Sequence, residues 1–312
     1  MGNILTVTLN PTIDVNTSVA HVEPDHKLRC AKPSREPGGG GVNVARAIRR
    51  LGGEVSALFT AGGAIGSQIN ELLGEEGVQQ LPIPVAEESR ESVNVLEQST
   101  ARQFRFVMPG PELQEHEWGA VLEAVRYLEP RPGYVVASGS LPPGAPVDFY
   151  GRLSEIVSEI GSRLIVDTSG EPLQHALGKG TFLLKPNIRE FRQFAGGDTF
   201  SDRFLEGAAL SLVSSGRCSV VVISLGAGGA LVVHGGGFRR IAAPTVKIES
   251  RVGAGDSMVA GMVLALSRGF PIEEAAQFGV ASGTAAVMTP GTELCRREDA
   301  ERLYEEMKAA EG

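Results

Sequence analysis

Apolar residues along the chain follow two rhythms, and each predicts a different kind of strand. Unbroken apolar runs occupy residues 4–9, 55–60, 134–138, 163–167, 182–185 and 220–225. Short runs without polar alternation suit strands buried on both faces, as in a parallel sheet covered by helices. Helical spacing fills the intervals. In 42–51, Val44, Ala47, Ile48 and Leu51 share one face, and Arg46, Arg49 and Arg50 another. Comparable patterns cover about 115–128, 148–161, 201–215 and 258–267. Strand–helix alternation at this pace predicts an α/β domain.

The second rhythm alternates apolar with polar residues. Val93 and Val95 share one side of 92–97, and Phe104, Phe106 and Met108 one side of 103–108; residues 14–20 and 27–30 behave similarly. These read as strands of a small sheet with only one buried face. They interrupt the main rhythm at about 14–36 and 87–110, so a single domain over 1–312 with two insertions forming one lid is expected. A lid would shield a water-sensitive reaction; a decorative edge hairpin is the plainer alternative.

Composition narrows the function classes. At 312 residues and 42% apolar content the chain can bury a sizeable core. Its net charge of −8 argues against nucleic acid as the main partner. A small anionic substrate stays open, since a pocket can be basic on an acidic protein. No apolar run is long enough for a membrane span, and the first residues lack the basic region of a secretory leader. Met1-Gly2 with Thr6 fits a myristoylation template, but a strand at 4–9 would leave no arm for a lipid. Asn16-Thr17-Ser18 fits a glycosylation triplet, which has no meaning without secretion. Cys30, Cys218 and Cys295 lack metal or redox spacing and read as buried, reduced thiols of a cytoplasmic protein. The five histidines show no metal spacing, and no nucleophile elbow occurs.

Candidate chemistry concentrates at turns. Gly253-Ala254-Gly255-Asp256 runs straight into the apolar helix pattern 258–267. Glycines let successive N–H groups turn toward one point, and a helix N-terminus adds its positive end, so this is an anion hole. Asp256 alone would serve as an ordinary helix starter. Beside an anion hole its carboxylate can take a proton from an attacking hydroxyl. Glu36-Pro37-Gly38-Gly39-Gly40-Gly41-Val42-Asn43 is a second glycine-rich helix entry, neither a Walker loop nor GxGxxG. Asp14 follows the first strand, where loops of open α/β sheets bind ligands. In Lys185-Pro186-Asn187-Ile188-Arg189-Glu190, one helical turn would bring Asn187 and Glu190 together to hold hydrated Mg²⁺; a plain helix start is the alternative. The turn from Ser224 to Gly229 could admit a nucleotide. Arg90, Arg105, Lys27 and Arg29 lie in the lid segments and, if clustered, suit a substrate phosphate.

These segments resemble the ribokinase-type (PfkB) carbohydrate kinases over nearly the whole chain. Gly253–Asp256 and the four glycines leading to Asn43 are similar to that family's two signatures. Thr8-Leu9-Asn10-Pro11, Arg105-Phe106-Val107-Met108-Pro109-Gly110 and Ser138-Gly139-Ser140-Leu141-Pro142-Pro143-Gly144 resemble its minor bacterial 6-phosphofructokinase branch. The resemblance implies a Rossmann-like α/β fold: a mostly parallel central sheet flanked by helices, with a β-sheet lid shared across a homodimer. It implies ATP-dependent phosphorylation of a sugar phosphate, foremost fructose 6-phosphate; 1-phosphofructokinase and tagatose-6-phosphate kinase are the nearest rivals. A catalytically silent sugar-phosphate sensor is the reading from another class.

By the same resemblance, Asp14, Gly39 and Asn43 would hold sugar hydroxyls, and Arg90, Arg105, Ser138 or Ser140 the substrate phosphate, with Lys27 lent by the neighbouring subunit. Lys185, Asn187, Ser224, Gly226 and Gly229 would line the ATP side, and Glu190 would hold Mg²⁺ through water. Ser250, Val252, Ala286 and Gly291 would supply oxygens to K⁺. Three residues depart from the family pattern: Arg251 replaces a usual Thr, and Thr289 and Glu293 replace an expected Asn and Arg. A pairing of Glu293 with Arg251 is the expected compensation.

Overall fold

The computed structural model describes residues 3–177, 181–196 and 201–311; Met1 and Gly2, which carry the lipidation template, lie outside the described residues. The chain opens with β1 (Ile4–Thr8), β2 (Thr12–Val19) and β3 (Ser34–Gly38), then α1 (Gly40–Arg50), β4 (Ser56–Ala61) and α2 (Gly63–Glu75). Next come β5 (Gln79–Pro84), β6 (Arg90–Glu97), β7 (Arg102–Val107), α3 (Glu115–Tyr127), β8 (Tyr134–Ser138) and α4 (Phe149–Glu159). They are followed by β9 (Arg163–Asp167), α5 (Glu171–Ala176), β10 (Thr181–Leu184), α6 (Ile188–Ala195) and α7 (Asp202–Ser214). β11 (Val220–Ser224), β12 (Ala230–His234) and β13 (Gly237–Ile241) lead to α8 (Ala254–Ser267), α9 (Ile272–Val287) and α10 (Arg297–Glu311).

The unbroken apolar runs become the interior of a nine-stranded sheet in the order β13-β12-β11-β10-β9-β8-β1-β4-β5. Pairing is parallel from β11 to β5, and β12 and β13 add an antiparallel edge. In β1 successive side chains enter opposite cores: Ile4 packs among residues of α1, α8, α9 and α10, and Leu5 among those of α3, α4 and α7. Both faces of the strand are therefore apolar, as a buried parallel sheet requires. This is the mostly parallel α/β architecture flanked by helices that the apolar pattern implied.

The two insertions form a single four-stranded sheet, β3-β2-β6-β7. β2 and β6 run parallel, with β3 and β7 antiparallel on the flanks. Their alternation sorts the faces. Asp14, Asn16, Ser92, Asn94 and Arg105 are in register on one face, while Val93 opposes Phe106 and Val95 opposes Phe104 on the other. Phe106 remains 52% exposed, beside exposed Val107 and Met108.

Two expectations need correction. Residues 27–30 form no strand: residues 21–33 run as an exposed connection. Pro24 and Pro33 break ladder pairing there. The second strand of that insertion is instead Ser34–Gly38, which carries Glu36 and Pro37 of the glycine-rich segment into the lid. Cys218 and Cys295 are buried free thiols as expected, but Cys30 is exposed on that connection. Among the described residues, no helix is long and apolar enough to cross a membrane.

Candidate active site

Two helices begin at the same place from opposite ends of the sequence. Gly39 caps α1 at φ 106°, and a Cβ there would press on Pro11 Cα at 3.1 Å, so only glycine lets the turn approach β2. Gly253 caps α8 in the left-handed region, φ 75°, with no side-chain cap. The opening amides of α8 therefore stay available for an anion. Asn43 Nδ2 donates to Asp256 Oδ2 at 2.9 Å, which joins the two glycine-rich segments into one site.

Asp256 is pushed up to about 7, first by burial and then by the neighbouring Asp167 carboxylate; Asn43, Lys185 and Arg105 pull it down. A carboxyl poised near neutrality suits a general base. Lys185, just past β10, forms an almost fully buried ion pair with Asp167 at 3.1 Å. Burial opposes both charges. For Asp167 it outweighs the Lys185 attraction and raises the carboxyl, whereas Asp167, Glu190 and Asp256 together hold Lys185 as the ammonium. Asp167 was not among the residues singled out from sequence. Its place at the carboxyl end of a buried parallel strand was the available signal.

Asn187 and Glu190 do share one helical turn, and they close it as a reciprocal cap. Asn187 Oδ1 accepts from the Arg189 and Glu190 amides at 2.9 and 3.0 Å, while Glu190 Oε2 accepts from the Asn187 amide at 2.8 Å. Asn187 also bridges Ser224 at the end of β11, followed by a 3₁₀ turn over Gly226–Gly228 and by Gly229. The predicted ATP-side residues thus line adjacent strand ends.

On the lid, Asp14 is buried and its carboxyl is raised by burial, against the pull of Arg105, Arg90 and Arg46. Arg105 acts electrostatically on both Asp14 and Asp256, so the lid's charged face lies over the α8 entry. Arg90 is held against the protein, donating to Met108 O and Asn10 O at 3.1 Å each. Asn10 in turn donates to Ser140 Oγ at 3.2 Å. Ser138 is buried at the end of β8 against Gly40. Lys27 is exposed on the 21–33 connection and makes no ion pair with the described residues of its own chain.

The family profile of pfkB carbohydrate kinases matches residues 7–299. The chain belongs to the PfkB family of carbohydrate kinases. It is 45% identical over 302 residues to the ATP-dependent 6-phosphofructokinase isozyme 2 of Mycobacterium tuberculosis, covering 97% of this chain and 89% of that protein. The Escherichia coli isozyme 2 is 41% identical over 305 residues, covering 97% and 98%. The crystal structure of E. coli phosphofructokinase-2 with potassium superposes with a TM-score of 0.95 at 40% identity, over 99% of this chain and all of that one. The same E. coli protein is known with fructose 6-phosphate and in a tetrameric inhibited form.

Two ions implied by the family can be judged on this PfkB chain's own residues. Among the described residues, no group of three acidic, His or Cys side chains forms a metal cage. Mg²⁺ carried on nucleotide phosphates needs one or two protein carboxylates and water, and the cap on α6 engages Glu190 through Oε2. The 250–253 and 286–291 segments, where K⁺ is expected, meet through the Ser250 amide, which donates to Val287 O at 3.3 Å. Gly291 O accepts from Ser250 Oγ at 2.6 Å and Ala286 O from Thr289 Oγ1 at 2.8 Å. A carbonyl has two lone pairs, so Gly291 O keeps one for a cation, whereas Ala286 O also accepts from the Thr289 amide at 3.3 Å and from the Met288 amide. Arg251 does not pair with Glu293 as expected: Glu293 binds Arg296 at 2.8 Å, and Arg251 is exposed. Glu293 and Arg296 lie one turn apart and reach each other locally.

Proposed function

We propose that this PfkB kinase transfers the γ-phosphoryl group of MgATP to the 1-hydroxyl of fructose 6-phosphate, giving fructose 1,6-bisphosphate and ADP. The Asn43–Asp256 contact at the head of α8, under a lid face carrying Asp14 and Arg105, is the observation behind this reading. Asp14, Gly39 and Asn43 hold sugar hydroxyls, placing the acceptor oxygen beside Asp256. The hydroxyl proton passes to Asp256 as the sugar O–P bond forms and the bridging P–O bond to ADP breaks. The amides of Ala254, Gly255 and Asp256 meet the charge on the transferring group; such a donor is worth about 3–4 kcal/mol in comparable sites.

Arg105 and Arg90, with Ser138 and Ser140, define the subsite for the phosphate already on the sugar. A guanidinium pairs with phosphate through two parallel hydrogen bonds. An unphosphorylated sugar would bring no anion to this subsite. Lys185, Asn187, Ser224, Gly226 and Gly229 line the ATP side, and Glu190 would hold Mg²⁺ through water. Mg²⁺ supplies charge neutralisation on the nucleotide phosphates when bound. Ser250, Val252, Ala286 and Gly291 would ligate K⁺ behind the anion hole. The exposed lid face with Phe106 supports a homodimer closed lid to lid, bringing Lys27 to the partner's site. The absence of any membrane-crossing helix among the described residues is consistent with action in the cytoplasm.

An ADP-coupled assay across a panel of sugar phosphates tests the reading. Fructose 6-phosphate should give the highest kcat/KM. A preference for fructose 1-phosphate or tagatose 6-phosphate would reassign the acceptor, and binding without ADP formation would identify a silent sensor.

A further inference from the structure

A chain of polar contacts leaves the lid for Thr292, in the loop after α9, and returns to Glu36 on lid strand β3. Arg105 Nε donates to Asn94 Oδ1 at 3.2 Å, and Asn94 Nδ2 donates to Asn16 Oδ1 at 3.0 Å. Asn16 Nδ2 donates to Thr292 Oγ1 at 2.7 Å, across 276 residues of sequence. The Thr292 hydroxyl then donates to Glu36 Oε2 at 3.1 Å. Every group passes its hydrogen onward in the same direction, from a guanidinium to a carboxylate. Aligned donors of this kind polarise and strengthen one another.

The far end of the chain is anchored. Arg46 is 1% exposed and donates to Glu36 at 3.2 Å, to Pro37 O at 2.7 Å and to Glu76 at 2.8 Å. Glu36 at the root of the lid is thereby tied to α1 and α2. Thr292, itself buried, follows Gly291, whose carbonyl accepts from Ser250 Oγ. Ser250 Oγ accepts from the Val252 amide at 3.2 Å, one residue before the glycine that caps α8.

We propose that Thr292 is a positioning residue for phosphoryl transfer, fixing the sugar-facing lid strand β2 to its own loop and, through the Gly291 carbonyl and Ser250, to the loop that leads into the anion hole. The sugar's lid ligands and the amides that meet the phosphoryl group are then set by one connected network. Asp14 is two residues from Asn16 on the same face of β2, so ordering β2 around the sugar also orders the approach to Gly253. This inference rests on the reaction proposed above for its kinetic consequence, but the mechanical link stands on the contacts alone. Thr292 acts through Asn16 and Glu36 rather than on substrate or the reacting atoms.

The test uses the full-length protein, with Asn16→Ala, Thr292→Val, Thr292→Ser and the Asn16→Ala/Thr292→Val double variant. Amide hydrogen exchange without any sugar or nucleotide reads the link directly. Asn16→Ala and Thr292→Val should each speed exchange across residues 249–253 by about tenfold or more, while Thr292→Ser keeps wild-type protection. In turnover, Thr292→Val should lower kcat about tenfold with KM for both substrates within about twofold, and Thr292→Ser should restore it. The double variant should be no worse than the poorer single variant, because both break the same chain. Unchanged exchange at 249–253 in both single variants would overturn the proposal, and so would kcat losses that multiply in the double variant. Since the exchange arm needs no substrate, a wild-type chain that fails to phosphorylate fructose 6-phosphate sinks the assigned reaction without deciding the link.

Discussion

Asn43 and Asp256, 213 residues apart, meet at 2.9 Å where α1 and α8 both begin. The contact engages one carboxylate oxygen of Asp256, and in the proposed reaction the other takes the acceptor proton. It also draws the base down from the higher value that burial and Asp167 would otherwise impose. A glycine-capped helix entry on each side is what lets two backbones come this close.

Replacing the base separates chemistry from binding. Asp256→Asn keeps the size of the side chain but cannot accept the proton, so kcat should fall by about 10²–10⁴. The KM for fructose 6-phosphate should change little. Near-normal turnover in steady-state assays would remove Asp256 from the base role.

The pH profile carries the same assignment. Asp256 rises from an ordinary 3.8 to about 7, so kcat/KM should climb with pH through about 7 as the carboxyl loses its proton in the free enzyme. Stability should move the other way. Between the unfolded and folded values the native state holds an extra proton, and stability is lost as pH rises through that window. The upper bound is about 4 kcal/mol at about 1.4 kcal/mol per unit. Thermal midpoints from pH 4 to 8 should therefore fall less steeply for Asp256→Asn than for the unmodified chain.

Asp167→Asn should do two things at once. Removing a like charge next to Asp256 shifts the rising limb of kcat/KM to lower pH. Leaving Lys185 buried without its carboxylate should cost about 3–5 kcal/mol of stability. Denaturant midpoints and the pH–rate profile measure the two effects separately. A limb that stays in place would show that Asp167 does not tune the base.

Gly38→Ala should disable the sugar site while sparing the fold. An added Cβ would sit 2.5 Å from Asp14 Oδ2 and 3.1 Å from Thr12 Cγ2. The carboxylate must move, so KM for the sugar should rise about tenfold or more while KM for ATP holds. Equal loss for both substrates would point to general disruption instead.

The exposed lid face makes an oligomer prediction. Burying an apolar side chain such as Phe106 is worth roughly 1.5–3 kcal/mol, and placing a charge there reverses the sign. Phe106→Glu should shift the chain toward monomer in light scattering, with lower kcat/KM if Lys27 is lent by the partner. An unchanged mass would move the interface elsewhere.

Short unbroken apolar runs and their helical intervals were enough to predict the parallel core, because burial on both faces imprints directly on residue order. The glycine-capped entry to α8 was legible for a similar reason: Gly253, Gly255 and Asp256 act through local backbone geometry. The reading failed where the outcome depended on distant partners. Residues 27–30 alternate like a strand yet lie exposed, while Ser34–Gly38, with its proline and glycine, pairs with β2 and completes the lid. The departures from the family pattern suggested Glu293 for Arg251, but Glu293 pairs with Arg296 one turn away. Asp167 carries no local mark of function; it gained one when parallel pairing set β9 beside β10 and brought it to Lys185. Composition and periodicity determined the layers and the glycine turn that opens α8. Only the tertiary structure decided which charges face each other, because Coulomb and hydrogen-bond partners are chosen in space.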